Sequence, residues 1–210
     1  MKRNERALRA IRNLRFRQKC YTQKIDILCH DIVGAHTEFV DKLSILTFSL
    51  RFQESLLGAV DLCGILDSTA LFLRQNLHGA GSAIFLIEPK GFDIHFAGAA
   101  EQFSIEKGQF EKWFTPQMVY EISHSRQVCS LEQMLAMGLQ APPAALKHLA
   151  AVAIPLNQIG RAMGFVLLYR PADNPFTPQE LTQAAATVPA IRIAIERIQN
   201  TAESRIGTSI

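Results

Sequence analysis

Residues 151–170 read AVAIPLNQIGRAMGFVLLYR, two apolar runs joined by a short turn, with Arg161 as the sole charge between the ends. The runs predict strands near 150–156 and 162–170 around Asn157-Gln158-Ile159-Gly160. Neither run alternates apolar with polar residues, as a strand with one wet face would. Both faces of the hairpin carry apolar side chains, Val152, Ile154, Phe165 and Leu167 among them, and what each face packs against has to come from the rest of the chain. Pro155 cannot donate to a ladder, so it belongs at a bulge or an edge.

Downstream, Thr177, Pro178 and Glu180 supply a cap, a first-turn proline and a capping-box acid for a last helix. Leu181, Ala184, Val188, Ile191, Ile195 and Ile198 then form a heptad stripe, in which Pro189 removes a hydrogen bond and predicts a kink. Upstream, 83–88 and 92–97 alternate as a second hairpin around Pro89-Lys90-Gly91, with Phe92, Ile94 and Phe96 on one side and Asp93 and His95 on the other. Between the hairpins, 103–124 is helical or irregular and rich in aromatics, with an interruption at Thr115-Pro116. A short strand at 127–130, a weak helical piece and the Pro142-Pro143 break follow it. Ahead of the first hairpin, Asp61 caps a helix that runs through Leu62, Ile65, Leu66, Leu73 and Leu77 toward Gly79 and Gly81.

The beginning of the chain has another character. Ile11, Leu14, Gln18, Tyr21, Ile25, Leu28, Ile32, Ala35 and Phe39 step by three and four, a seam that a lone helix cannot bury. Leu43, Leu46 and Leu50 continue it after one extra four-residue step, a stutter, and Gly58 marks a break. Residues 1–24 carry nine bases against Glu5, a local charge of +8 that leaves the remainder at −5. Such a helix could meet nucleic acid, anionic lipid or an acidic protein. Bases alone carry no base-reading or membrane-anchoring group, so a solvated helix face is the simpler reading and nucleic acid the lesser one.

A chain of 210 residues holds one substantial core plus extra helix. No apolar run approaches the roughly 18–20 residues of a membrane span, and the arginine-rich start lacks a signal-peptide centre, so a soluble cytoplasmic protein is expected. Cys20, Cys29, Cys63 and Cys129 lack metal-site spacing, and free thiols and no metal are expected.

These elements make an α+β domain with helices layered on an antiparallel sheet. The stretch AVAIPLNQIGRAMGFVLLYR, followed by NPFTPQELTQAAATVPAIRIAIER, resembles the C-terminal half of a GAF domain, and GSAIFLIEPKGFDIHFAGA is similar to that family's first hairpin. The resemblance covers about residues 59–199. It implies a sheet covered on one face by the first and last helices, which commonly continue into a parallel dimer bundle. The other face is then closed by the variable middle segment around a small-molecule pocket. The division it suggests is a basic coiled-coil signalling helix over 1–58, a GAF domain over 59–199 and a flexible tail over 200–210.

Fold does not fix a ligand. The N-K-x-F-D-E signature of cyclic-nucleotide-binding GAF domains is missing, and the sole Cys-His pair, Cys29-His30, lies in the leading helix rather than where a bilin would attach. Cys129 alone does not reproduce the reactive cysteines of GAF-type methionine sulfoxide reductases. No cofactor is named by these residues and no catalytic group is assigned. A ligand would meet Trp113, Phe114, Tyr120, His124 and Cys129, together with His95 if its strand face points inward. Plain core packing accounts equally for Phe114 and Cys129. His30-Asp31-Ile32-Val33-Gly34 also resembles the H-D-x-x-G phosphoacceptor box of nitrate-sensor-type histidine kinases, which would make His30 a phosphoacceptor served by a kinase in trans. The leading expectation is a non-enzymatic homodimeric sensor that binds a small ligand or partner protein and relays to a signalling partner that supplies the output. Histidine phosphotransfer, and binding to nucleic acid or an anionic surface through the first helix, are the alternatives.

Overall fold

The computed structural model describes residues 2–77, 79–97, 107–158 and 161–206. The chain divides into two compact units, Met1–Ser44 and Ile45–Ile210, and the division falls inside the first helix, α1 (Lys2–Leu56). In the first unit, Leu14, Tyr21, Ile25, Leu28, Ile32 and Phe39 of the heptad seam are between 58% and 67% exposed. The side chains of residues 2–13, Ile11 of the seam among them, lie outside the described residues.

In the second unit, α2 (Leu62–Asn76) begins at Asp61, whose carboxylate accepts from the Gly64 amide at 2.8 Å. It stops at Leu77 rather than running to the glycines, and Gly81 instead opens the first strand, β1 (Gly81–Glu88). β2 (Gly91–Ala97) completes that hairpin. The middle segment folds as α3 (Lys107–Trp113), α4 (Pro116–His124), β3 (Cys129–Ser130), α5 (Leu131–Ala136) and α6 (Pro143–Leu146). Thr115 caps α4, its side chain accepting from Met118, and Pro116 stands at the first helical position. The quoted hairpin is β4 (Leu149–Gln158) and β5 (Arg161–Pro171), whose turn at Ile159-Gly160 lies outside the described residues.

The five strands run β2-β1-β5-β4-β3, every neighbour antiparallel. The register between β4 and β5 shifts between Pro155 and Asn157, so the proline sits at a bulge. Both faces of the central strands are covered. On one face Ile84, Val152, Ile154, Val166 and Leu168 pack under Phe48 and Phe52 of α1, Ile65 and Leu73 of α2, and Ile191 and Ile195. On the other, Ala83, Phe85, Ala153, Phe165 and Leu167 meet Trp113, Phe114, Met118, Ile122 and Met134.

The last helical stretch departs from expectation twice. It is two helices, α7 (Pro178–Ala185) and α8 (Val188–Ile206), rather than one kinked helix. A proline inside a helix clashes with the carbonyl four residues back. The chain escapes this by turning at Ala186-Thr187, and Pro189 enters in the first turn of α8, where no amide is needed. Moreover, the heptad stripe of this stretch faces its own domain: Ala184, Ile191 and Ile195 are buried, and Leu181, Val188 and Ile198 pack against the same core. The periodicity marked an apolar face correctly, and the sheet rather than a second chain covers it.

Candidate functional site

The residues expected to line a pocket are placed in three different settings. Trp113 and Phe114, at the end of α3, are buried, as is Cys129 on β3. They belong to a closely packed aromatic layer in which Phe85 stacks on Phe165 at 4.4 Å between centroids and meets Phe114 at 4.6 Å. Each such pair adds about 0.5–1.5 kcal/mol beyond its buried area. Cys129 directs its thiol to the Gln127 carbonyl at 3.6 Å.

Tyr120 and His124 lie one turn apart on the outer face of α4, both exposed, with ring centroids 3.9 Å from each other. The reason is the helix period: Met118, Val119 and Ile122 take the inward positions, which leaves 120 and 124 facing solvent. His95 is on the opposite sheet face from the aromatic layer, as strand alternation dictates once Ile94 is buried in it. Its Nε2 lies 2.9 Å from Asp67 Oδ1 of α2. The six residues therefore do not converge: three are in the core, two on an outer helix face and one behind the sheet. His30 and Asp31 are both exposed on α1 in the first unit. Among the described residues, no group of His, Cys, Asp and Glu is arranged to hold a metal ion.

Two features of the second unit were not anticipated from the sequence. The first is an open cavity of about 590 Å³ between the end of α1, the Leu57–Ala59 turn and α8, walled by Leu56, Leu57, Ile65, Ala190, Ala194 and Ile198, with Gln53 and Arg197 as its polar lining. It lies on the helical side of the sheet, away from the aromatic layer. No local motif could have found it, because its walls come from three separate segments.

The second is the Arg170 clamp. Arg170, one residue before the end of β5, is fully buried despite its charge, with a relative exposure of 1%. Its guanidinium donates to both carboxylate oxygens of Glu180, at 2.9 and 2.7 Å, and to the Pro175 carbonyl at 2.6 Å, and lies 4.1 Å above the Phe176 ring. Glu180 also accepts from the Thr177 amide and hydroxyl, so the capping box of α7 is fused to the end of β5. These hydrogen bonds, above all those from Arg170, hold the Glu180 carboxyl at about 2, well below its usual 4.5. The clamp locks the last helices onto the sheet and offers no open face to a substrate. The cap, proline and acid were legible as a helix start, while the arginine that completes them was hidden in an apolar run.

No family model matches this sequence, and no curated protein matches it. Among solved structures, the chain is similar to the crystal structure of the GAF domain/HD domain protein from Geobacter sulfurreducens, at 17% sequence identity with a TM-score of 0.54. The likeness covers 68% of this chain and 97% of that one. No helix among the described residues is long and apolar enough to cross a membrane. A long N-terminal helix followed by a five-stranded antiparallel sheet with helices on both faces is thus a GAF-like α+β fold.

Proposed function

We propose that this chain is a non-enzymatic, homodimeric GAF-type sensor and signal-transduction module, which binds a small ligand or partner protein and relays through paired helices to a signalling protein that supplies the output. The observation that carries the reading is the exposed seam of α1, six bulky apolar side chains at heptad spacing that the protomer leaves in water. Burying one such side chain contributes about 1.5–3 kcal/mol. Six per chain therefore suffice against an association cost of about 4–15 kcal/mol.

Because the stripe of α7 and α8 is consumed by the domain core, the dimer contact rests on α1. The stutter at Phe39–Leu43 gives that helix two nearly equivalent packings, which a small free-energy input can exchange. A ligand entering beside the sheet would have to displace Phe114 or Trp113 from the aromatic layer, and such a displacement is a source of that input.

Sedimentation equilibrium tests the dimer, and a thermal-shift screen of small metabolites tests the sensor. A dimer with at least one metabolite that raises the melting temperature supports the reading. Single chains at high concentration remove the relay, and a flat screen leaves a scaffold in place of a sensor.

A further inference from the structure

Six of the nine bases among residues 1–24 are arginines, and five of these, Arg3, Arg6, Arg9, Arg12 and Arg15, occupy every third position of α1. Three residues of an α-helix turn about 300°, so each arginine position steps back about 60° from the last and climbs about 4.5 Å. The five positions consequently wind over about 240° of the helix circumference within about 18 Å of its length. Arg9, the middle of the series, is nine residues from Gln18 of the seam and so about 180° round from it. The positions of Lys2, Arg17, Lys19 and Lys24 fall within the same arc. The basic sequence thus wraps every side of the helix except the seam.

We propose that residues 2–24 form an arm that binds the major groove of duplex DNA, contacting phosphates on both walls without reading sequence. The partner must be polyanionic, and the winding of the arginine positions chooses among polyanions. A membrane surface reaches one side of a helix and requires a bulky apolar face opposite the charged one. Here the charge covers about two-thirds of the circumference, and the uncharged arc is the seam itself, with Ile11, Leu14 and Tyr21, which a paired helix would cover and so withhold from a membrane. The major groove is about 12 Å wide and takes a single helix with phosphates along both flanks, so arginines on opposite sides each find an acceptor. The major groove of A-form RNA is too narrow for this. Guanidinium matches phosphate with two parallel hydrogen bonds, which fits the predominance of arginine. The seam stays free for a second chain, and a basic helix continued by a heptad seam is the arrangement in which paired helices straddle a duplex. The arm rests on the helix pairing of the proposed function and is independent of ligand sensing by the second unit.

Anisotropy of the full-length protein on a labelled mixed-sequence duplex, followed from about 50 to 200 mM salt, tests the arm. A ladder variant replaces Arg3, Arg6, Arg9, Arg12 and Arg15 with glutamine, which retains helix propensity. A control variant makes the same change at the exposed Arg51, Lys90, Lys112, Arg126 and Lys147. The expected result is salt-sensitive binding whose log–log slope falls by about 4 in the ladder variant, with affinity reduced at least about a hundredfold, while the control stays within about threefold. A third variant carrying lysine at the five ladder positions keeps the charge and should retain the slope. Helix content by circular dichroism confirms that each variant is folded. Equal loss in ladder and control variants, loss of slope in the lysine ladder, absent or salt-insensitive duplex binding, or binding to phosphatidylserine vesicles in place of the duplex each overturns the proposal.

Discussion

Gly164 shows how much a single residue decides in this sheet. It holds φ at 146°, and a Cβ there would stand 1.8 Å from the Phe85 carbonyl oxygen on the neighbouring strand. No rotamer change can relieve a clash with backbone, so Gly164→Ala should lower unfolding free energy by about 3 kcal/mol, read as an earlier urea midpoint. A glycine inside an apolar strand is the sequence signal for such a close approach, and the turn glycine drew the reading instead. Glu180 supplies a second residue-scale test. Its carboxyl titrates at about 2 in the folded chain against an ordinary 4.5, so the clamp's stabilisation is complete above 4.5 and is lost as pH falls from there toward 2. Glu180→Gln should therefore cost on the order of 2–3 kcal/mol at neutral pH and flatten the decline in melting temperature over that acid window. Removing the carboxylate leaves the buried guanidinium without its counter-charge, and for that reason Arg170→Ala together with Glu180→Gln should cost less than the sum of the two single changes.

Two stripes share α1 where it enters the second unit, and only one was legible. The seam reading follows Leu43, Leu46 and Leu50, all exposed. The domain instead takes Phe48, Phe52 and Leu56, with Phe48 and Phe52 set edge-on against Phe72 of α2 at about 5 Å. Phe52→Ala should accordingly destabilise the second unit by about 3–5 kcal/mol. Leu46→Ala should change the unfolding free energy at low protein concentration by less than about 0.5 kcal/mol. Equal effects would mean that the stripes are assigned the wrong way round. Elements were legible where a cap, a proline or strict alternation marked them, as at Asp61, Thr115-Pro116, Thr177 and Phe92–Phe96. What could not be read was the identity of the covering surface. Periodicity gives the direction of an apolar face along its own helix and carries no information about what lies opposite, which is why the stripe of α8 could be taken for a dimer seam. The same gap separated the aromatic middle segment, correctly seen as apolar, from the side-chain placement that turned Tyr120 and His124 outward.

At the scale of the molecule, association is the property on which the proposed signalling role depends. Core burial stabilises the second unit by itself, since both sheet faces, the end of α1 and the last helices close on one another. The first unit has no such closure, and its seam gains only if another helix covers it. This separation predicts a specific split in the effects of seam substitutions. Ile25→Gln, Leu28→Gln and Ile32→Gln introduced together exchange three seam positions for a residue that helices accept, so the helix itself is not broken. Each lost contact removes about 1.5–3 kcal/mol of burial per chain, enough together to separate a dimer at micromolar concentration. Sedimentation equilibrium should then report single chains for the triple variant and pairs for the unaltered protein. The thermal transition of the sheet domain should stay within about 2 °C of its original midpoint, because none of the three residues contributes to that core. Pairs that survive the triple change would place the contact elsewhere, whereas a collapse of the sheet transition alongside dissociation would show that the two units fold as one.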